Sequence, residues 1–281
     1  MNKEKAWFLG YLLSDGTITH PKYRKKGDET HMQFICKYED KEVMYKIKDI
    51  LETSANVQLY PSYKSPQAKL RPYDRKDIIN EYHDIKQRIP EEKIKNFERH
   101  FIRGCFDGDG TLSYRQSRNS FRIGFIDQEY NITQWISNTI CKALCLPHKQ
   151  ARWVAQNNVW EILWEGNIAK LIAFWLYHGD IENCCLERKL NKYRSVIGYN
   201  TNMTYDQELL QAVNSYIDDN NEIAFNVPNM QTLEWCKRIQ SLLSFNTVPV
   251  FHNKGKRKYY HLYIPDKSHI VNMRDTCNKI A

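Results

Sequence analysis

The sequence contains no Cys-x-x-Cys pair, although it has eight cysteines. Cys141 and Cys145 lie four residues apart on a predicted helix, and Cys184 and Cys185 are adjacent. This spacing argues against a zinc site or a disulfide framework and predicts small buried thiols in a reducing compartment. A Gly-rich cofactor loop and a cluster of His and Cys ligands are also absent, which disfavours a metal-dependent enzyme acting on a small substrate.

No hydrophobic run is long enough to span a membrane, and residues 1–5 lead into a short amphipathic segment rather than a signal peptide. Low-complexity linkers rich in Ser or Gln are absent as well. We therefore expect a soluble intracellular protein, in the cytoplasm or in the matrix of an organelle.

The 281 residues are 42% hydrophobic, which is enough for sizeable cores and for two or three small domains. The chain carries 41 Lys and Arg against 33 Asp and Glu, a formal charge of +8. Residues 200–281 hold nine basic and eight acidic side chains (9 − 8 = +1), so the other +7 lies in residues 1–199. This charge favours a polyanionic partner such as nucleic acid, although proteins without such a partner can be equally basic.

The most informative pattern is a phrase that occurs twice. Phe8–Thr17 (FLGYLLSDGT) returns as Ile102–Thr111 (IRGCFDGDGT), with the final aspartates 94 residues apart (109 − 15). Each copy is an apolar run with a central Gly, followed by Asp-Gly-Thr and by residues typical of a strand. The helix dipole repels a carboxylate at the C-terminal end of a helix, so two such aspartates indicate a duplicated site that a cation compensates. A divalent metal held by carboxylate oxygens is the simplest such cation.

The two phrases resemble the paired signature of the LAGLIDADG homing endonucleases, in the single-chain form that carries two copies. Gly10 and Gly104 occupy the glycine at which the motif helices touch, and Asp15 and Asp109 occupy the last acidic position of the motif. The second copy matches better, because Asp107 supplies the first acidic letter as well. The first copy departs from the motif, with Leu-Ser where the motif has Asp-Ala.

The resemblance implies an α+β fold with two pseudo-symmetric αββαββα repeats and saddle-like antiparallel sheets. Hydrophobic periodicity predicts the same order of elements over residues 5–195. We expect the first repeat at residues 1–90, the second at 91–199 and a small accessory α/β module at 200–281. The module lacks the acidic phrase and echoes only part of the element order, so an unrelated α/β unit is an equally good interpretation.

The resemblance also implies a metal-dependent DNA endonuclease, in which the motif helices bring Asp15 and Asp109 to one point. Two carboxylates so close repel each other unless cations neutralise them, and the expected cofactor is Mg²⁺ or Mn²⁺. The ions would activate water and stabilise the leaving 3′ oxygens. The family places a lysine after the last helix of each repeat. Lys189 follows Asp109 by 80 residues (189 − 109) and Lys93 follows Asp15 by 78 (93 − 15), with Lys95 as a close rival.

The strands are expected to recognise a long, partly asymmetric site in double-stranded DNA, bound by a monomer. An antiparallel ribbon fits the major groove, where Arg or Lys reads guanine and Asn or Gln reads adenine. The expected contacts of the first repeat are Tyr23, Arg24, Lys25, Gln33, Tyr60, Ser62, Lys64, Gln67, Lys69 and Arg71. Those of the second repeat are Tyr114, Arg115, Gln116, Arg118, Arg122, Lys149, Gln150, Arg152, Gln156 and Asn158. For any one of these residues, an ordinary solvated sheet face is an equally simple interpretation.

Four cations lie close together in the C-terminal module: Lys254, Lys256, Arg257 and Lys258. We expect this basic turn to contact phosphates, which adds affinity and salt dependence but no sequence information. The alternative is a hairpin tip whose charges only keep the protein soluble.

One further function stays open, that of a binding protein on the same fold, such as an RNA-splicing maturase or a transcription regulator. The retained acidic pair favours cleavage over this alternative. The sequence also lacks the terminal His-Asn and the starting Cys or Ser of protein splicing, so we expect a free-standing or intron-encoded form rather than a whole intein.

Overall fold

The structure is a computed structural model. It describes residues 1–19, 31–72, 75–115, 120–144, 146, 148–177, 184–197, 222–225, 250–254 and 257–263. The chain divides into two compact units. The first unit comprises residues 1–111, 125–127 and 180–192, and the second comprises residues 112–124, 128–179 and 193–281.

Both repeats follow the predicted αββαββα order. The first repeat contains α1 (Lys3–Asp15), β1 (Gly16–Thr19), β2 (His31–Lys37), α2 (Glu42–Ile50), β3 (Gln58–Tyr60), β4 (Gln67–Leu70) and α3 (Lys76–Gln87). The second contains α5 (Glu98–Asp109), β5 (Thr111–Arg115), β6 (Ser120–Asp127), α6 (Tyr130–Leu144), β7 (Arg152–Val154), β8 (Val159–Glu165) and α7 (Gly166–Tyr177). A short helix α4 (Glu91–Ile94) joins them, a 3-10 turn (Tyr38–Asp40) precedes α2, and α8 (Glu187–Ile197) follows the second repeat.

Each repeat builds one four-stranded sheet with the same topology. The strand orders are β1-β2-β4-β3 and β5-β6-β8-β7. In the first sheet all neighbouring strands are antiparallel, with Phe34 opposite both Gly16 and Leu70. The predicted fold class is therefore confirmed for the two repeats. The predicted boundaries between repeats and module stay a prediction, because the compact units follow contacts rather than repeats and both motif helices belong to the first unit.

The core of the first unit is built around the two motif helices. Helix α1 is buried from Ala6 to Leu13, and α5 is buried from Phe101 to Asp107. A helix that is apolar on every side is buried on every side, which suits α1 to a central position. Its start is fixed by Asn2, whose side-chain oxygen accepts a hydrogen bond of 2.8 Å from the backbone N–H of Lys5.

In the C-terminal module the structure describes one antiparallel sheet of three strands, in the order β10-β11-β9. These strands are β9 (Glu222–Phe225), β10 (Val250–Lys254) and β11 (Arg257–Tyr263). The helices expected in this module lie outside the described residues. Within the described part of the chain, no helix combines the length and the apolar character that crossing a bilayer requires.

Candidate active site

The candidate active site lies in the first unit, where the C-terminal ends of α1 and α5 meet. Glycines make this approach possible. A Cβ atom added to Gly10 would lie 2.8 Å from the backbone nitrogen of Cys105 and even closer to the carbonyl oxygen of Phe101. A Cβ on Gly104 would meet Trp7 and Tyr11 in the same way, 2.7 Å from the nitrogen of Tyr11. The expected helix contact is therefore present, and backbone lies against backbone at both glycines.

The contact continues to the acidic ends of the helices. A Cβ added to Gly108 of α5 would lie 2.7 Å from Cβ of Ser14 and 3.3 Å from the carboxyl carbon of Asp15. The Asp15 carboxyl group is thus beside the residue that precedes Asp109. The structure brings the two predicted acids together, as the repeated phrase implies.

The Asp15 carboxyl group lies in an environment that disfavours its charge. Burial raises the pKa of Asp15, and the negative charges of Asp40 and Asp107 raise it further. A hydrogen bond from the Tyr11 hydroxyl lowers the pKa of Asp15, and so does the positive charge of the Lys189 ammonium. On balance the pKa of Asp15 is raised, so its charged form is disfavoured. A cation bound at this point would offset that effect and favour the carboxylate.

Asp109 shows the same effect. Its pKa is raised to about 6, first by burial and then by the charges of Asp15 and Asp127, while Lys189 and Lys86 lower it. The two motif acids therefore interact electrostatically, and together they form a site that favours positive charge.

Lys189 belongs to α8, and its ammonium group lies against the C-terminal end of α5. The residue is buried, with 6% of its surface exposed. Its ammonium group donates hydrogen bonds to the carbonyl oxygens of Phe106, Gly108 (3.3 Å) and Gly110 (2.6 Å). The last turn of α5 carries no basic residue of its own. Lys189 therefore supplies the cation that the negative end of the helix dipole favours, and it fixes the turn that follows Asp109.

Burial lowers the pKa of Lys189 to about 8, while the charges of Asp107, Asp15 and Asp109 hold it up. An ammonium has three N–H donors, and all three find carbonyl acceptors here. In this arrangement Lys189 acts on the site through its charge and by holding the backbone around Asp109.

The other predicted lysines are placed differently. Lys93 lies on α4, and its ammonium pairs with Glu81 of α3. Lys95 follows α4 and is exposed. The contact that the structure shows for the Lys93 ammonium is with Glu81 and not with Asp15 or Asp109. The part of Lys93 in catalysis stays a prediction. Among the described residues of the first repeat, Lys86, near the end of α3, has a charge that lowers the pKa of Asp109.

The donor set suits a hard divalent cation. Within the described residues no three His, Cys, Asp or Glu side chains are grouped so that they could hold a metal ion by themselves. Mg²⁺ commonly binds through one or two carboxylates and completes its shell with water and substrate oxygens. Asp15 and Asp109 fit that pattern, and they are the residues that would hold the ion.

The outer face of the first sheet carries five of the predicted recognition residues. Alternation along β2, β3 and β4 places Gln33, Tyr60, Gln67, Lys69 and Arg71 on the side opposite the buried Phe34, Ala68 and Leu70. The Arg71 Nε donates a 2.6 Å hydrogen bond to the Gln33 side chain, and the Lys69 ammonium lies 5.1 Å from the centre of the Tyr60 ring. Ser62 and Lys64 are exposed in the turn between β3 and β4.

The second sheet presents a different set of charges. Arg152 pairs with Glu161 on the neighbouring strand at 2.5 Å, and Arg122 pairs with Glu165. Tyr114, Gln150, Gln156 and Asn158 are exposed, and Lys149 is half-buried with its ammonium 6.0 Å from the Trp164 ring. On the first face Lys69 and Arg71 lie beside neutral side chains, whereas Arg122 and Arg152 of the second sheet pair with glutamates.

The remaining predicted residues are described only in part or not at all. Tyr23, Arg24, Lys25, Gln116, Arg118 and Lys256 lie outside the described residues. For Arg115, Lys254, Arg257 and Lys258 the structure gives the backbone alone: Arg115 ends β5, and Lys254 and Arg257 are opposite each other in the β10–β11 pair. DNA contact by all these residues stays a prediction.

Sequence reasoning missed several residues that shape the site. The motif includes Asp107 but gives it no role, whereas Asp40, Asp127 and Lys86 carry no local signal at all. Tyr11 could have been found from helical spacing, since it precedes Asp15 by one turn. The others reach the site only through the tertiary fold.

Comparison with known proteins gives likeness in structure only. No protein-family model matches the chain, and no curated protein matches its sequence. Similar solved structures include I-DmoI in complex with DNA and Mn (14% identity, 63% of this chain and 98% of that one, TM-score 0.43). Others are the LAGLIDADG homing endonuclease I-GzeII in complex with a DNA target (12%, 71% and 98%, TM-score 0.42) and the LAGLIDADG meganuclease I-AabMI bound to uncleaved DNA (12%, 70% and 92%, TM-score 0.41).

The solved structures to which the chain is similar therefore include LAGLIDADG homing endonucleases, the family that its two phrases resemble.

Proposed function

We propose that this protein is a site-specific double-strand DNA endonuclease that depends on divalent metal ions. The observation that carries the proposal is the meeting of Asp15 and Asp109 at the ends of two adjoining helices. Neither position is favourable for a carboxylate, because each lies at the negative end of a helix dipole and the two repel each other. A cation-dependent reaction at a phosphate explains why both are present.

In this function Asp15 and Asp109 hold Mg²⁺ or Mn²⁺, which would supply charge neutralisation at the scissile phosphates and an activated water. The residues of the chain do the rest. Tyr11 orients the Asp15 carboxylate through its hydroxyl group. Lys189 fixes the turn after Asp109 and adds a buried positive charge beside both acids. Such preorganised charge is typically the largest contribution to catalysis of this kind.

The two sheet faces supply recognition of double-stranded DNA. On the first face Lys69 and Arg71 are oriented by Tyr60 and Gln33, and on the second the arginines are partly neutralised by glutamates. Side chains held in this way are ready to contact base edges in the major groove. Because the two faces present different side chains, a monomer would bind a long site whose halves differ in sequence. The basic turn of the C-terminal module would contact flanking phosphates.

The test begins with a library of randomised double-stranded DNA, incubated with the protein and Mg²⁺ or Mn²⁺, followed by sequencing of the cut ends. The Asp15→Asn and Asp109→Asn variants are then assayed on the recovered site. We expect each to abolish cleavage and to keep specific affinity, since an amide preserves shape but cannot neutralise a metal ion. Asp77→Asn, at an exposed ion pair of α3, is the matched control.

Three outcomes separate the alternatives. Loss of cleavage with retained binding supports the proposal. Full cleavage by either variant would show that the acids are not the active site. Specific binding of DNA or RNA by the unaltered protein, without cleavage in either metal, would instead favour a maturase or a transcription regulator on the same fold.

A further inference from the structure

The segment that carries Lys189 into the site is held at three successive residues. The Arg103 Nε donates a 2.5 Å hydrogen bond to the Cys184 carbonyl oxygen, and the Lys46 ammonium donates one of 3.2 Å to the Cys185 carbonyl oxygen. The Leu186 backbone N–H donates a 2.9 Å hydrogen bond to the Asp107 carboxylate. Leu186 immediately precedes α8, so these bonds set where that helix begins and where its third residue, Lys189, points.

Asp107 joins this segment to the pair of motif helices. The oxygen that accepts from Leu186 also accepts a 2.8 Å hydrogen bond from the Trp7 indole of α1. The Asp107 side chain has 2% of its surface exposed. A buried carboxylate is costly unless hydrogen bonds and an opposite charge compensate it. Of the acids that act on Lys189, Asp107 exerts the largest electrostatic effect.

The two halves of the protein differ at this position. Asp107 corresponds to Leu13 in the first phrase, because both lie two residues before the motif acid. Leu13 is buried, and its side chain has no atom that could accept a hydrogen bond from a following segment. The lysine expected for the first half, Lys93, pairs with Glu81. The second phrase, which has Asp107 at the first acidic position of the motif, is thus the one whose predicted lysine lies beside Asp109.

We propose that Asp107 is a positioning residue, which anchors the start of α8 so that Lys189 reaches the C-terminal turn of α5 beside Asp109. This inference rests on the proposed function of the site. A second anchor lies at Arg188, the residue that precedes Lys189. The Arg188 guanidinium donates hydrogen bonds of 3.1 Å from Nε and from Nη2 to the carboxylate of Asp40, which is 8% exposed. The start of α8 is therefore bonded to both Asp107 and Asp40.

Cleavage rates and DNA affinity test this role together. Lys189→Met is expected to slow single-turnover cleavage by a factor on the order of 10². Asp107→Leu, which installs the residue of the first phrase, should slow it nearly as much. Asp107→Asn keeps an oxygen acceptor for Leu186 and should lose about tenfold. DNA affinity should change by less than about threefold in each variant, because Asp107 and Lys189 are buried and are not on the sheet faces.

The decisive comparison is the double variant. If Asp107 acts through Lys189, Asp107→Leu combined with Lys189→Met cuts no more slowly than Lys189→Met alone. Multiplicative losses, or a wild-type rate for Asp107→Leu, would overturn the proposal. Should Asp107→Leu fail to fold, the same cycle with Asp107→Asn and with Asp40→Asn decides the question. Asp77→Asn again serves as the control, since its ion pair is exposed and on α3.

Hydrogen exchange separates failure of this inference from failure of the proposed function. The Leu186 amide should exchange faster in Asp107→Leu than in the unaltered protein, with residues 184–190 affected and α6 unchanged. This readout needs no DNA. Unchanged exchange in that segment would refute the anchoring even in a protein that cuts DNA. Faster exchange in a protein that cuts no DNA would confirm that Asp107 anchors this segment and would refute only its role in cleavage.

Discussion

The contact between the motif helices predicts a large cost for adding one methyl group to it. In Gly10→Ala the new Cβ would lie 2.8 Å from the Cys105 nitrogen and closer still to the Phe101 carbonyl oxygen, both of them backbone atoms. A flexible side chain could move aside, but a buried helix backbone can only be displaced with everything that it carries. Gly104→Ala produces the same conflict against Trp7 and Tyr11.

Two opposing effects set the magnitude. Alanine favours a helix over glycine by about 1 kcal/mol. Overfilling a well-packed core costs about 1–3 kcal/mol, and a conflict with backbone belongs at or above the upper end of that range. The conflict therefore wins, and we expect each variant to lower the free energy of unfolding by about 2 kcal/mol or more. For a protein of this size that corresponds to a fall in melting temperature of roughly 4–8 °C.

Urea and thermal denaturation, followed by circular dichroism, would measure the effect. Lys142→Ala on the exposed side of α6 is the control for introducing alanine into a helix, and it should change little. The double variant Gly10→Ala, Gly104→Ala should lose less than the sum of the single losses, because the first substitution already separates the helices. A Gly10→Ala protein as stable as the unaltered one would show that the helices do not touch at this residue.

Two further predictions concern the acids and the basic turn. Since the pKa of Asp109 is raised to about 6, protons compete with metal below that pH. Divalent-ion affinity, measured by calorimetry, should rise by up to about tenfold per pH unit as the pH increases towards 6 and then level off, and Asp109→Asn should flatten this rise; an unchanged profile in that variant would contradict the assignment. Replacing the four cations of the basic turn by Ala should preserve cleavage but make the dependence of log affinity on log salt shallower, by about one unit for each phosphate that the turn no longer neutralises, and identical slopes would mean that the turn does not touch DNA.

The fold of the two repeats could be predicted from the sequence because its signals are local. The apolar runs with a central glycine mark the buried helices, and alternating or periodic apolar residues mark the strands and helices that follow. Gly10 and Gly104 also predict the closeness of the helices, since a close approach of backbones is a use to which glycine is suited. With the helices side by side, the meeting of Asp15 and Asp109 follows.

The surroundings of the acids could not be predicted, because they depend on contacts between residues far apart in the chain. Helix α8 begins where Asp107 accepts from Leu186, 79 residues later, and no local pattern announces that bond. The offsets of 78 and 80 residues likewise do not indicate which groups the two lysines contact. Lys93 pairs with Glu81, whereas Lys189 donates to carbonyls of α5, and the part of Lys93 in catalysis stays a prediction.

The different contacts of Lys93 and Lys189 have a physical origin in one position of the motif, which is Leu13 in the first phrase and Asp107 in the second. A buried carboxylate at position 107 requires donors, and it finds them in Trp7 and in the backbone that leads to α8. A leucine at the equivalent position 13 needs only apolar neighbours and attracts no such segment. The site is therefore asymmetric. The C-terminal carbonyls of α5 are bonded to the buried Lys189, whereas what the structure shows of Lys86 is the effect of its charge on Asp109. If the two strands of DNA are cut by the two acids, the strand served by Asp109 has the more rigidly organised environment, and it should be cut first.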